Sequence, residues 1–299
     1  MKTALILALL AATAAPAPAP APKKLTPPEI VNAAPASAWR EIPAGDLMVM
    51  TIEGGKQVVI QLAPRFAPVH VANIRALARS DYWRDATIYR VQDNYVVQWG
   101  IGDAKRPLPA AVVARPPPEY WMSVKGIAMT PLPYRDSYAP RVGYVDGWPV
   151  AVRSNGIVST VHCYGSLGVG RDLAPDTGSG AELYAAIGPA RALDRVIAVV
   201  GRVVNGIEAL SSLERGTEPL GFYNDKQRPT KITSIAIAAD LPAATRPRFE
   251  YLSEKSADFA RYLNKKANRD DDFYRVAAGG VDLCSAAVPI RKVGTAAKR

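Results

Sequence analysis

Between Asp46 and Ile237 the chain breaks into short runs of β-branched and aromatic residues punctuated by glycine and proline. That rhythm constrains the fold more than any other feature, because runs this short pair as strands and cannot sustain long helices. Leu47 to Ile52 and Gln57 to Leu62 are separated by Gly54-Gly55, a hairpin signal. Pro68 opens a segment in which Val69, Val71, Ala72, Ile74, Leu77 and Ala78 fall at the spacing of an amphipathic helix with proline in its first turn. Thr87 to Gln92, Tyr95 to Trp99, Leu183 to Ile187, Val196 to Val204 and Lys231 to Ile237 read as further strands, and Ile207 to Leu213 as a second short helix.

Residues 105 to 162 interrupt this pattern with proline, tyrosine, tryptophan and glycine, including Pro116-Pro117-Pro118. With little periodicity, the stretch reads as a long ordered excursion rather than a separate core. After Pro242, Phe249, Leu252, Phe259, Ala260 and Leu263 recur at helical spacing, which predicts one helix of about five turns. The expected fold is therefore mainly β: a closed antiparallel barrel capped by two helices, with a long insertion and a C-terminal helical extension. The expected organisation is a signal peptide over 1–14, an Ala/Pro-rich spacer over 15–45 and a barrel over 46–240. Its insertion covers about 104–162, and the extension runs over 241–299.

The first residues carry an address. Lys2 precedes an apolar run from Ala4 to Ala15 broken only by Thr13, and Ala12-Thr13-Ala14 offers a small-x-small cleavage pattern. The run is too short to span a bilayer, so export to the periplasm or outside the cell is expected, with no transmembrane segment. The only cysteines are Cys163 and Cys284. An oxidising compartment would permit a disulfide between them; two unpaired, partly buried thiols are the competing reading. Cysteine and histidine spacing fits no metal site. The formal charge of +10 comes from scattered basic residues rather than a stripe, which argues against nucleic acid as a partner. Gly168-Val169-Gly170 and Gly178-Ser179-Gly180 lack the strand-to-helix setting of a phosphate loop.

Four stretches add a likeness. Ala67-Pro68-Val69-His70-Val71-Ala72-Asn73 is followed by Ile88-Tyr89-Arg90-Val91-Gln92-Asp93-Asn94-Tyr95-Val96-Val97-Gln98-Trp99-Gly100, and later by Leu193-Asp194 and Val199-Val200-Gly201-Arg202-Val203-Val204-Asn205-Gly206. Over residues 46 to 240 the sequence resembles the cyclophilin family of peptidyl-prolyl cis-trans isomerases. The resemblance implies that Arg90 is the catalytic arginine and that Gln98, Tyr95, Val96, Glu182, Tyr184, Leu193 and Tyr89 meet the substrate. No cofactor is implied, and the partners would be proline-containing polypeptides, among them unfolded exported proteins. There are departures too. Tyr89 replaces a histidine, Glu182 a glutamine, and Leu183 and Tyr184 two phenylalanines, while Ala192 and Ile197 stand where many members carry tryptophan and histidine.

The chemistry suits these residue types. Rotation about an X-Pro bond is opposed by a barrier of about 18–20 kcal/mol from amide resonance, and no bond is made or cleaved. A fixed guanidinium can stabilise the twisted amide, whose nitrogen becomes pyramidal and gains a lone pair. Gln98 would hold the substrate backbone, and Tyr95, Val96, Tyr184 and Leu193 would form an apolar socket for the proline ring. Without the resemblance Arg90 is a strand arginine with a buried stem, and the tyrosines are core aromatics. Glu182 stays open: it could orient Arg90, quench it or face solvent. Adjacent His162 and Cys163 would point to opposite faces of a strand, which favours structural roles over a thiol nucleophile. A catalytically weak chaperone or peptide-binding scaffold with the same fold is the rival reading.

Overall fold

The computed structural model describes residues 24–102, 106–271 and 273–294. The expected signal peptide and the Ala-Pro repeats up to residue 23 lie outside the described residues. In chain order the elements begin with α1 (Pro27–Ala33), β1 (Trp39–Glu41), β2 (Leu47–Ile52), β3 (Lys56–Leu62), α2 (Pro68–Arg79), β4 (Thr87–Gln92) and β5 (Val96–Gly100). The insertion carries β6 (Met122–Ser123), β7 (Thr130–Pro131), β8 (Arg141–Val145), β9 (Trp148–Val152) and β10 (Ile157–Thr160). Then come β11 (Ser166–Val169), β12 (Leu183–Ala186), β13 (Val199–Asn205), α3 (Ile207–Ser211), β14 (Thr230–Ile237), β15 (Phe249–Leu252), α4 (Ala257–Ala267) and β16 (Ile290–Lys292).

Eight strands close a barrel in the order β11-β12-β5-β4-β14-β2-β3-β13, and β13 pairs back onto β11. Every pairing is antiparallel, and because the ring closes the barrel has no free edge. The β2–β3 hairpin turns at Gly54 and Gly55, both at positive φ, a conformation that side chains with a Cβ avoid. Val71, Ile74 and Leu77 of α2 and Leu210 of α3 are fully buried in the barrel's core together with Met50, Ile60, Trp99 and Leu183. Each such side chain contributes about 1.5–3 kcal/mol by leaving water.

A second layered unit is built from three stretches far apart in sequence. The insertion is not the aperiodic excursion expected: it forms a five-stranded sheet in the order β6-β10-β9-β8-β7. Its centre is the β8–β9 hairpin, whose turn residues Asp146 and Gly147 both have positive φ, as a two-residue hairpin loop requires. Residues 27–42, expected as the end of a spacer, supply α1 and β1. The five-turn helix expected after Pro242 is instead a strand and a shorter helix. Phe249–Leu252 lies as β15 between β1 and β16, and α4 starts only where the Ser256 hydroxyl accepts the Phe259 N–H. Ile30, Trp39, Tyr144, Leu252, Phe259 and Leu283 share one core, with the Tyr144 and Phe259 rings edge to face at 5.0 Å. A disulfide joins Cys163 to Cys284.

The two units are clamped together. Arg202 of β13 donates to Gln61 on the neighbouring barrel strand and to the Gly147 carbonyl at 2.7 Å, and its guanidinium lies 4.4 Å from the Trp148 ring centroid. The buried Glu254 carboxylate accepts the Asp146 and Gly147 N–H groups from the other side of that turn.

Candidate functional site

Register places Arg90, Gln98 and Tyr184 in one row. In antiparallel sheets directly opposed residues share a face. Arg90 of β4 opposes Gln98 of β5, Gln98 opposes Tyr184 of β12, and Tyr184 opposes Gly168 of β11. The row crosses four strands on the outer wall of the barrel, opposite in parity to the core residues Val97, Trp99 and Leu183. A register shift between Ile88 and Arg90 adds one residue to β4. Such a bulge lets consecutive side chains address the same neighbour. Both Tyr89 and Arg90 reach Gln98 in consequence: Arg90 Nη1 donates to Gln98 Oε1 at 2.8 Å, and Gln98 Nε2 donates to the Tyr89 hydroxyl at 2.8 Å.

The chain of bonds ends at Glu182, whose carboxylate accepts the Tyr89 hydroxyl at 2.6 Å. Glu182 is thus linked to Arg90 through Tyr89 and Gln98. Its carboxylate lies over Gly100, where any Cβ would overlap it. Burial pushes the Glu182 carboxyl above its ordinary value, opposed by the bonds from Tyr89 and from the Ile101 and Gly102 N–H groups. Burial, reinforced by the Glu182 charge, pushes the Tyr89 hydroxyl up as well, so it stays a donor. Arg90 is lowered by burial yet remains a cation, as arginine does in proteins.

Arg90 is held at three points. Besides Gln98, its Nη2 donates to Gln92 and its Nε to the Leu220 carbonyl, each at 2.8 Å. The Phe222 ring lies 5.3 Å from the guanidinium and stacks on Tyr89 at 6.1 Å. Beside this array opens a cavity of about 800 Å³, lined in part by Tyr89, Gln98, Glu182, Arg171 and Phe222.

The apolar candidates are placed less uniformly. Tyr184 is buried, and a Cβ at Gly168 would overlap its hydroxyl, so that glycine makes room for the ring. Burial raises the Tyr184 hydroxyl, which meets His162 Nε2 at 3.0 Å. Val96 is two residues from Gln98 on the same face of β5, and Tyr95 is half-buried at the end of the β4–β5 turn. Leu193 is half-buried in a single turn, Arg191–Leu193, on a separate segment. Gln92, Phe222 and the His162 contact to Tyr184 were not legible in sequence: Phe222 lies in a loop with no motif, and the other two depend on register and on the crossing of distant segments. Among the described residues no group of three or more His, Cys, Asp or Glu is arranged to hold a metal ion.

A family model, cyclophilin type peptidyl-prolyl cis-trans isomerase/CLD, matches residues 47–237, more than half of the chain. This chain belongs to the cyclophilin family. The match runs from the first residue of β2 to the last of β14, the span of the barrel. The crystal structure of cyclophilin AquaCyp293 from Hirschia baltica is similar at a TM-score of 0.67 and 22% identity, covering 85% of this chain and 93% of that one. That coverage exceeds the family-model match, so the similarity in fold extends beyond the barrel. Two crystal structures of a Cryptosporidium parvum cyclophilin type peptidyl-prolyl cis-trans isomerase also match. One, in the presence of the dipeptide ala-pro, has a TM-score of 0.40 at 11% identity; the other has 0.42 at 13%. Both cover 64% of this chain, and 98% and 96% of their own. No curated protein matches the chain. Cyclophilins bind proline-containing peptides, and no helix among the described residues is long and apolar enough to cross a membrane.

Proposed function

We propose that this cyclophilin accelerates rotation about X-Pro bonds, with Arg90 as the group that stabilises the twisted amide. The observation that carries the reading is the three-point fixation of the Arg90 guanidinium beside the Gln98 amide. Three of its five N–H groups are committed within the protein, which leaves one on each terminal nitrogen for a substrate carbonyl and the pyramidal proline nitrogen. Because those donors are already oriented, little reorganisation accompanies the rise to the transition state. Gln98 is oriented at both ends of its amide and retains one N–H and one lone pair for the peptide backbone. Tyr95, Val96, Tyr184 and Leu193 then take the proline ring, and the face bearing Tyr89 and Glu182 takes a neighbouring residue.

Exported proteins folding in the periplasm are the clients in this reading. It is supported by the apolar N-terminal run and by the Cys163–Cys284 disulfide, which persists in oxidising compartments. The test is cis/trans exchange spectroscopy of the full chain with a panel of short X-Pro peptides, alongside fractionation of expressing cells. Acceleration on some member of the panel and recovery from the periplasm are expected; a folded protein that accelerates none would remove the enzymatic reading. A chaperone or scaffold is the second reading, favoured by the replacements at Tyr89 and Glu182, which bond to each other beside Gln98 where the family carries histidine and glutamine. In that case Arg90→Ala would still suppress aggregation of unfolded clients.

A further inference from the structure

Behind the socket a second chain of bonds leads from Tyr184 into the insertion. The Tyr184 hydroxyl is 3.0 Å from His162 Nε2 and the rings stack at 6.3 Å. On the far side His162 Nδ1 lies 3.2 Å from Asp194 Oδ1, which also accepts the His162 backbone N–H at 2.8 Å. A carboxylate only accepts, so Nδ1 must carry a proton, and this orients the ring with Nε2 toward Tyr184. The other Asp194 oxygen accepts Arg191 Nε at 2.5 Å. The two terminal nitrogens of Arg191 pair with both oxygens of Asp136 at 3.0 and 3.2 Å. Asp136 belongs to the insertion and is tied to its own loop by the Tyr138 and Ala139 N–H groups, each at 2.9 Å.

All of this is out of water. Side-chain exposure is 2% for Asp136, 5% for Arg191, 3% for Asp194 and 0% for His162. Buried charges held by bidentate and charge-assisted bonds have few alternative arrangements, because no solvent can replace a lost partner. Arg191 and Asp194 also bracket Leu193 in its turn.

We infer that Asp136 is a positioning residue for the proline socket: through Arg191, Asp194 and His162 it fixes where the Tyr184 ring stands. The inference rests on the reading that Tyr184 lines that socket. A network that merely fastened the insertion to the barrel would contain the same bonds but would not couple Asp136 to the Tyr184 hydroxyl.

A double-mutant cycle with Asp136→Asn and Tyr184→Phe separates the two. Asp136→Asn keeps the acceptor for Tyr138 and Ala139 and leaves Arg191 paired with Asp194, so no buried charge is stranded. Exchange catalysis and NMR-titrated affinity are measured on the panel of short X-Pro peptides with the full chain and the three variants, after thermal melts establish folding. Asp136→Asn is expected to weaken kcat/KM about three- to tenfold, mostly through KM, and to do nothing further in the Tyr184→Phe background, as coupled neighbours do. Losses that multiply, or an Asp136→Asn protein equal to wild type, would overturn the inference while leaving the isomerase reading intact. If the wild type binds members of the panel but accelerates exchange in none, the isomerase reading falls, and coupling in the affinities alone still supports the positioning role. A wild type that neither binds nor exchanges would overturn both.

Discussion

The barrel and the unit beside it are held together by different means. The barrel is continuous in sequence apart from its insertion, and each strand is stitched to two neighbours around a closed ring. The second unit gathers residues 27–42, the strands of the insertion and residues 249–292 around a shared core, closed by a disulfide between segments 121 residues apart. A closed ring of pairings has no edge to lose, whereas a core assembled from three segments depends on each one arriving. The row of candidate catalytic residues stands on the first kind of structure, and the charged network behind Tyr184 reaches into the second. Activity should therefore outlast moderate damage to the second unit in rate but not in substrate affinity.

The largest test of that contrast is Phe259→Ala. Phe259 is fully buried in the second core against Tyr144, and its truncation should cost about 3–5 kcal/mol in chemical denaturation. Exchange catalysis by the remaining folded fraction should persist; complete loss of it would mean that the barrel cannot stand without its neighbour. Replacing both cysteines with serine comes next, at about 2–4 kcal/mol of stability. Amide hydrogen exchange should rise in β15, α4 and the β8–β9 hairpin before it rises in the barrel strands, and uniform acceleration would erase the distinction between the units.

Within the barrel, Gly168→Ala should be felt at the socket, because the added Cβ meets the Tyr184 hydroxyl. A stability loss of about 1–3 kcal/mol is expected, with weaker peptide binding; unchanged affinity would show that Tyr184 does not border the ligand.

The smallest effect is a matter of pH. Burial pushes Asp136 up, but its pair with Arg191 and its loop bonds outweigh this and hold it below the ordinary carboxylate range. A depressed carboxyl stabilises the fold above its unfolded value, about 3.9, and loses that contribution as pH falls through the folded value. Glu182 is shifted the other way by burial, so its ionisation disfavours the folded state at neutral pH. Asp136→Asn should therefore flatten the acid limb of a stability-against-pH curve, and Glu182→Gln should raise stability modestly at neutral pH. Curves parallel to wild type would mean that neither carboxyl differs between the folded and unfolded states.

Much of the barrel was written in the sequence because its signals are local. The Gly54-Gly55 turn, the Pro68 start of α2 and the alternation along β4 and β5 each act within a few residues. The spacing from Arg90 to Tyr95 and Gln98 likewise carried the family likeness. The bulge at Tyr89 did not declare itself, since nothing in Ile88-Tyr89-Arg90 distinguishes an added residue from a regular strand. Phe222 could not be placed beside Arg90 by any pattern in a loop. Misreading β15 has a concrete cause: it buries Phe249 and Leu252 but not the two residues between, which is the three-residue spacing of a helix. The aperiodic reading of the insertion misses the β8–β9 hairpin, although Asp146-Gly147 between apolar runs is a strong turn signal. Surrounding prolines obscured it. Thr26 and Glu29 also mark the start of α1, where the Glu29 carboxylate accepts the Thr26 N–H at 2.8 Å. That Asp136 would meet Arg191 depends on two loops crossing, and no local rule reports it.

Comparison of the full chain with Arg90→Ala in cis/trans exchange on the same X-Pro peptides bears most directly on the central claim. A folded mutant slowed by about a hundredfold or more, the scale of losing one preorganised transition-state donor, is the expected result. Equal rates for the two proteins would contradict it and leave the row of Arg90, Gln98 and Tyr184 as a peptide-binding surface without catalysis.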